Sequence, residues 1–147
     1  SVNNQPGRSD LCSSIGRVPL VGHRTLTANT GLGCIAAQKR IAAEPARLDV
    51  VEGWTTSPNM WTRRAALVAT LCFTKQNFPK PAELEARDRI LGWAEGYCSD
   101  RDWFIQKAVA WWLRDLSKHD PARTEAFLAD HGDRMKTFAR KEAAQYI

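Results

Sequence analysis

The sequence predicts an all-α chain of stacked helical repeats, and three observations carry that prediction. From Leu48 onward the texture is Ala, Leu, Arg, Glu and Trp, and no segment alternates as a half-buried strand does. Helix starts and stops punctuate it at Pro58, Pro81, Asp120-Pro121 and Gly132. Trp61-x-x-Arg64-x-Ala66-Leu67 returns 42 residues later as Trp103-x-x-Gln106-x-Ala108-Val109. That period falls among HEAT and armadillo solenoids, whose repeats run roughly 40–47 residues. Each copy would open the second helix of a pair, and stacked pairs leave a concave surface.

The elements follow in order. Residues 1–44 are rich in Gly, Ser, Asn, Thr and Arg and read as irregular; between Leu11 and Ala43 there is no acidic residue. Towards the end of this segment only Gly33–Arg47, which runs just past it, is partly compatible with a helix. Residues 45–147 form the HEAT-like α-helical repeat domain. Pro58 suits the first turn of a helix reaching about Thr74, with Ser57 as its cap. Pro81 opens another to about Cys98, with Leu84, Leu91, Ala94 and Cys98 recurring on one face. Ser99-Asp-Arg-Asp102 resembles a capping box before a helix over Trp103–Lys118. Asp120-Pro121 starts a short helix that Gly132 stops, and Asp133–Ile147 gives one more.

Composition narrows the function. At 147 residues the chain makes one domain with a core, and a net charge of +5 leans towards an acidic partner such as nucleic acid. Its six tryptophans all lie between Trp54 and Trp112. Cys12, Cys34, Cys72 and Cys98 are far apart, with no Cys-x-x-Cys and no paired histidine, which argues against a metal site or a disulfide framework and for a reducing cytoplasm. His23, His119 and His131 lack ligand spacing and read as surface or loop residues. No apolar run is long enough for a bilayer and no signal peptide is visible, so a membrane partner is not expected. The chain opens at Ser1 rather than methionine, as a fragment or processed chain would.

Two features carry candidate chemistry. In the Trp103–Lys118 helix, Phe104, Ile105, Ala108, Val109, Trp112 and Leu116 form an apolar stripe. Lys107, Trp111, Arg114 and Lys118, spaced by four, three and four, project within about 60° of one another. A tryptophan among three cations can stack on a base or cationic ring while its neighbours meet phosphates. On pattern alone the alternative stands beside it: Trp111 as one more core residue, with the cations at a solvated edge. On the preceding helix, Trp61, Ala65, Val68 and Cys72 form one apolar row and Met60, Leu67 and Leu71 another. Arg64 projects between them, whereas Arg63 points to the far side as a surface cation. Arg64 is either a phosphate clamp or an arginine that snorkels or pairs internally with a carboxylate.

Pro58-Asn-Met-Trp-Thr-Arg-Arg-Ala-Ala-Leu67, then Trp103-Phe-Ile-Gln-Lys-Ala-Val-Ala-Trp-Trp-Leu-Arg-Asp-Leu-Ser-Lys118, then Arg140-Lys-Glu-Ala143, resemble the DNA alkylation repair family of AlkD-like glycosylases. The resemblance runs from about Arg47 to Ile147, roughly the C-terminal half of a full member. It implies an all-α solenoid of HEAT-like repeats that holds duplex DNA in a basic groove and excises N3- and N7-alkylated purines, with no metal or organic cofactor. Arg64 matches the family arginine that contacts the DNA backbone near the lesion. Trp111 matches a tryptophan lining the cleft, with Lys107 and Arg114 at the basic positions around it.

One motif has no match. The family carries its catalytic carboxylate in a Trp-x-x-x-Asp motif, whose place here falls at Thr25–Asn29, where neither residue occurs. No tryptophan precedes Trp54, and the nearest upstream acids are Asp10 and Glu44. Three functions remain open on the sequence: the glycosylase, truncated or inactive without that motif; a non-catalytic HEAT-repeat module that binds DNA; and a solenoid whose Trp-rich face packs on a protein partner.

Overall fold

The computed structural model describes residues 31–147, with side chains from Ile35 onward, and all regular structure among them is helical. Seven α-helices follow one another: α1 Gly31–Ala43, α2 Leu48–Trp54, α3 Met60–Val68, α4 Pro81–Tyr97, α5 Trp103–Ser117, α6 Pro121–His131 and α7 Thr137–Ala143. Short 3₁₀ turns occupy Pro45–Arg47, Leu71–Phe73 and Gly132–Arg134.

The helices form two layers. In one, α5 lies between α3 and α7 and packs on both. Trp61 meets Phe104, and Trp103 meets Phe138, so the first turns of these three helices share one end of the layer. The carbonyl of Tyr97, at the end of α4, accepts from Gln106 in the second turn of α5, which sets α4 antiparallel to α5. Ion pairs join the other layer: Arg89 with Asp49 and Glu52 between α4 and α2, and Arg123 with Asp88 between α6 and α4. The core runs between the layers through Leu67, Phe73, Ile90, Ile105, Val109, Trp112, Leu113 and Leu116, all fully buried.

Local chemistry places most helix ends where the sequence does. Pro81 opens α4 and Cys98 caps its end. Asp120 caps α6, whose C-cap is Gly132. Asp102, not Ser99, caps α5, its carboxylate accepting from the Phe104 N–H at 2.8 Å. Several expectations are corrected. In the segment expected to be irregular, the stretch read as partly helix-compatible, Gly33–Arg47, falls on α1 Gly31–Ala43 and the turn Pro45–Arg47; α1 buries Ala37 and Ile41 and reaches α3 through Gln38 Nε2 donating to the Val68 carbonyl at 3.0 Å. The Trp-x-x-x-Asp position at Thr25–Asn29 lies outside the described residues, as do Cys12 and His23.

α3 begins at Met60 behind an Asn59 cap, whose side chain accepts from the Trp61 and Thr62 N–H groups, and it ends at Val68 rather than near Thr74. The Thr70 hydroxyl donates to the Ala66 and Leu67 carbonyls, both at 2.9 Å, and takes the place of continued helix bonding. α7 starts only at Thr137, because Met135 and Lys136 are extended and the Lys136 N–H donates to Gln106 Oε1 at 3.0 Å. On α4, Leu84 and Leu91 are only half-buried; the buried face runs through Ala86, Arg87, Ile90, Trp93 and Ala94. Phe104, assigned to the apolar stripe of α5, is 40% exposed because its first-turn position lies at the layer's end.

Both described thiols are shielded. Burial pushes Cys72 and Cys98 up to about 11 from the ordinary 9.0. The unfolded chain therefore ionises these thiols first, so stability holds below the unfolded value and falls as pH climbs from 9.0 towards about 11. Burial also raises Tyr97, with the same sign. Melting temperatures measured across that range should decline; a rise would contradict the burial of these groups.

Candidate nucleic-acid interface

The candidate residues are set by how α5 is fixed. Gln106 is completely buried; its amide nitrogen donates to the carbonyls of Tyr97, Cys98 and Asp100 at 3.3, 3.1 and 2.6 Å. With its oxygen bound to Lys136, this one side chain locks the rotation of α5 about its axis. Ile105, Ala108, Val109, Trp112, Leu113 and Leu116 then face the core. Trp112 is 0% exposed, whereas Trp111 is half-buried and packs at the edge of the core.

The cations of α5 meet carboxylates. Lys107 Nζ lies 2.7 Å from Glu142 Oε2, and Arg114 Nη1 lies 2.6 Å from Glu142 Oε1. One carboxylate on α7 thus bridges two turns of α5, with Trp111 between them in sequence, which places Lys107 and Arg114 on one side. Lys118 Nζ is 3.8 Å from Asp115 and 4.9 Å from the centre of the Tyr146 ring. Lys107, Arg114 and Glu142 together carry a single net positive charge. The structure therefore brings Lys107, Arg114 and Lys118 to α5's accessible side, each with a carboxylate partner.

Arg64 differs. Its side chain is half-buried on α3, and its Nε is enclosed with no hydrogen-bond partner among the described residues. Arg63 makes the internal contacts instead, so it is not the plain surface cation expected. Its guanidinium donates to the carbonyls of Ser57 and Pro58 at 2.9 and 3.2 Å and pairs with Asp100 at 3.2 Å. The Tyr97 hydroxyl donates to the Arg63 carbonyl at 2.8 Å. The repeat sharpens the contrast: Gln106, at the position equivalent to Arg64, has its amide fully engaged by backbone. An enclosed guanidinium N–H without an acceptor is costly, and because the Arg64 side chain makes no ion pair among the described residues, the rest of its half-buried guanidinium is left to meet an anion such as phosphate.

At the shared end of α3, α5 and α7 sits an aromatic cluster. Ring centres of Trp61 and Phe104 are 4.8 Å apart, Trp103 and Phe104 5.2 Å, and Trp103 and Phe138 5.8 Å. Glu142 is the residue of this face that sequence reasoning left without a role. Two cations two turns apart ask for a counter-ion, but nothing local to α5 says that it comes from α7. Among the described residues no group of three His, Cys, Asp or Glu is placed to hold a metal, and no helix is long and apolar enough to cross a membrane.

A sequence model of a family described as DNA alkylation repair enzyme matches residues 28–147. The match reaches back past Arg47 through the whole of α1. No curated protein and no solved structure gives a significant match.

Proposed function

The chain belongs to the DNA alkylation repair enzyme family, and from that premise we propose that it is an AlkD-like DNA glycosylase. It binds duplex DNA across α3 and α5 and releases N3- and N7-alkylated purines. The observation that carries this reading is Arg64, whose half-buried guanidinium has no hydrogen bond or ion pair among the described residues and lies beside a helix bearing Trp111 and three cations. Arg64 takes a backbone phosphate, and the face of Trp111 meets the alkylated base, whose positive charge an aromatic ring stabilises.

The chemistry follows from that charge. The N9–C1′ bond breaks with its electron pair going to the purine, which neutralises it and leaves an oxocarbenium-like sugar. Water then bonds to C1′ and gives its proton to solvent. Arg64 holds the strand still while the base departs, and no cofactor is needed for any step. A second reading is a module that holds alkylated DNA without cutting it. It is favoured by Glu142 and Asp115, the carboxylates of this face, each of which is engaged by a cation rather than aimed free at a sugar.

Two substitutions should move duplex affinity in opposite directions. Arg64→Ala removes one phosphate contact, so binding weakens by about tenfold and the salt slope shrinks by roughly one. Glu142→Gln releases Lys107 and Arg114, so binding tightens and the slope steepens by up to about two. Fluorescence anisotropy across a salt series reads both. Unchanged affinity of Arg64→Ala at low salt would show that Arg64 clamps no phosphate.

A further inference from the structure

We propose that Trp61, Trp103, Phe104 and Phe138 form a stacking surface for the bases of an unpaired DNA strand, beside the duplex-binding face; this rests on the reading that the chain binds DNA. Trp61, Trp103 and Phe104 are 37%, 50% and 40% exposed, and the ring contacts run unbroken across three helices. Adjoining exposed rings offer a continuous apolar surface that singly scattered residues do not. Every member of the cluster is a flat ring, and every base has a π-face to lay on one, whatever its sequence.

A protein could also use such rings, so charge decides. Arg64 follows Trp61 by three residues, Lys107 follows Phe104 by three, and Lys141 follows Phe138 by three. Each cation sits one turn along the helix from its ring, where phosphates accompany stacked bases. Arg101 and Lys136 stand just ahead of α5 and α7, and among the described residues Arg101, Lys136 and Lys141 form no ion pair. Of the nearby acids, Asp100 is paired with Arg63 and Glu142 with Lys107 and Arg114, a trio that keeps one positive charge; Asp102, the α5 cap, is one negative charge against Arg64, Arg101, Lys136 and Lys141. The charge left around the rings is positive and suits a polyanion.

The test compares a blunt duplex with the same duplex carrying a single-stranded thymidine tail, for the wild type and for Trp103→Leu/Phe104→Leu. Leucine keeps the surface apolar and removes only the π-faces, and unchanged melting temperature verifies the fold. The wild type should bind the tailed duplex roughly five- to hundredfold more tightly, with quenched tryptophan fluorescence. The double variant should lose that gain and keep its blunt-duplex affinity. A gain that survives in the variant, or a wild type that binds the blunt duplex and gains nothing from the tail, overturns stacking while the duplex reading stands. A wild type that binds neither probe overturns the duplex reading itself. A wild-type dimer in sedimentation that the variant abolishes, with no tail gain, assigns the rings to a second copy and overturns the proposal.

Discussion

Replacing Arg87 with alanine is expected to lower folding stability by about 3–5 kcal/mol, the loss typical of removing one partner from a buried charged network. Arg87 lies on the inward face of α4 and is only 1% exposed. Its Nε donates to the Phe73 carbonyl at 2.7 Å and its Nη2 to the Gln76 carbonyl at 2.6 Å. Nη1 stands 3.6 Å from Asp120, the cap of α6. Burial pulls its pKa below the ordinary guanidinium value, and the Asp120 carboxylate opposes that pull. One side chain thus ties the chain after α3 to α4 and α6. Alanine would leave two carbonyls without their donor and a cavity where the stem packs. Lysine would not rescue it, because one ammonium cannot reproduce three directions at once. Urea denaturation measures the loss, which corresponds to a melting-temperature drop of roughly 10 °C or more. A change under about 1 kcal/mol would mean that the buried arginine is not a structural tie.

The second large effect separates neighbouring tryptophans. Trp112 is fully buried, so Trp112→Ala should cost about 3–5 kcal/mol and act through folding. Trp111 is half-buried at the edge of the core. Trp111→Ala should lower the melting temperature by much less and abolish release of alkylated purine, because the ring proposed to face the cationic base is gone. Melting curves and base release on the same two variants check both halves. If Trp111→Ala unfolds as readily as Trp112→Ala, then Trp111 is a core residue and its pairing with the basic face has no functional meaning.

What the sequence made legible was local. Pro81, Pro121, Asp120 and Gly132 act within one turn of themselves, and the helix ends fall there. The division of α5 into a core face and an outer face follows from helical period alone. What escaped depends on partners far along the chain. α7 starts late because the Lys136 N–H is taken by Gln106, 30 residues away. Glu142 lies 35 residues from Lys107, and Asp100 lies 37 from Arg63. Arg63 and Arg64 are adjacent and chemically identical, so period could place Arg64 among apolar rows but could not say which arginine Asp100 would meet. Arg87 was invisible for a related reason: a charged residue in a helix reads as exposed until the carbonyls of Phe73 and Gln76 are seen beneath it.

Under the proposed function, Arg64 and Trp111 belong to a site that removes cationic purines from duplex DNA. The most direct measurement is release of 7-methylguanine and 3-methyladenine from methylated duplex DNA by the wild type and by folded Trp111→Ala. That function predicts release by the wild type and none by the variant. Absence of release by the wild type, with duplex binding intact, would contradict it and leave the chain a module that holds alkylated DNA without cutting it.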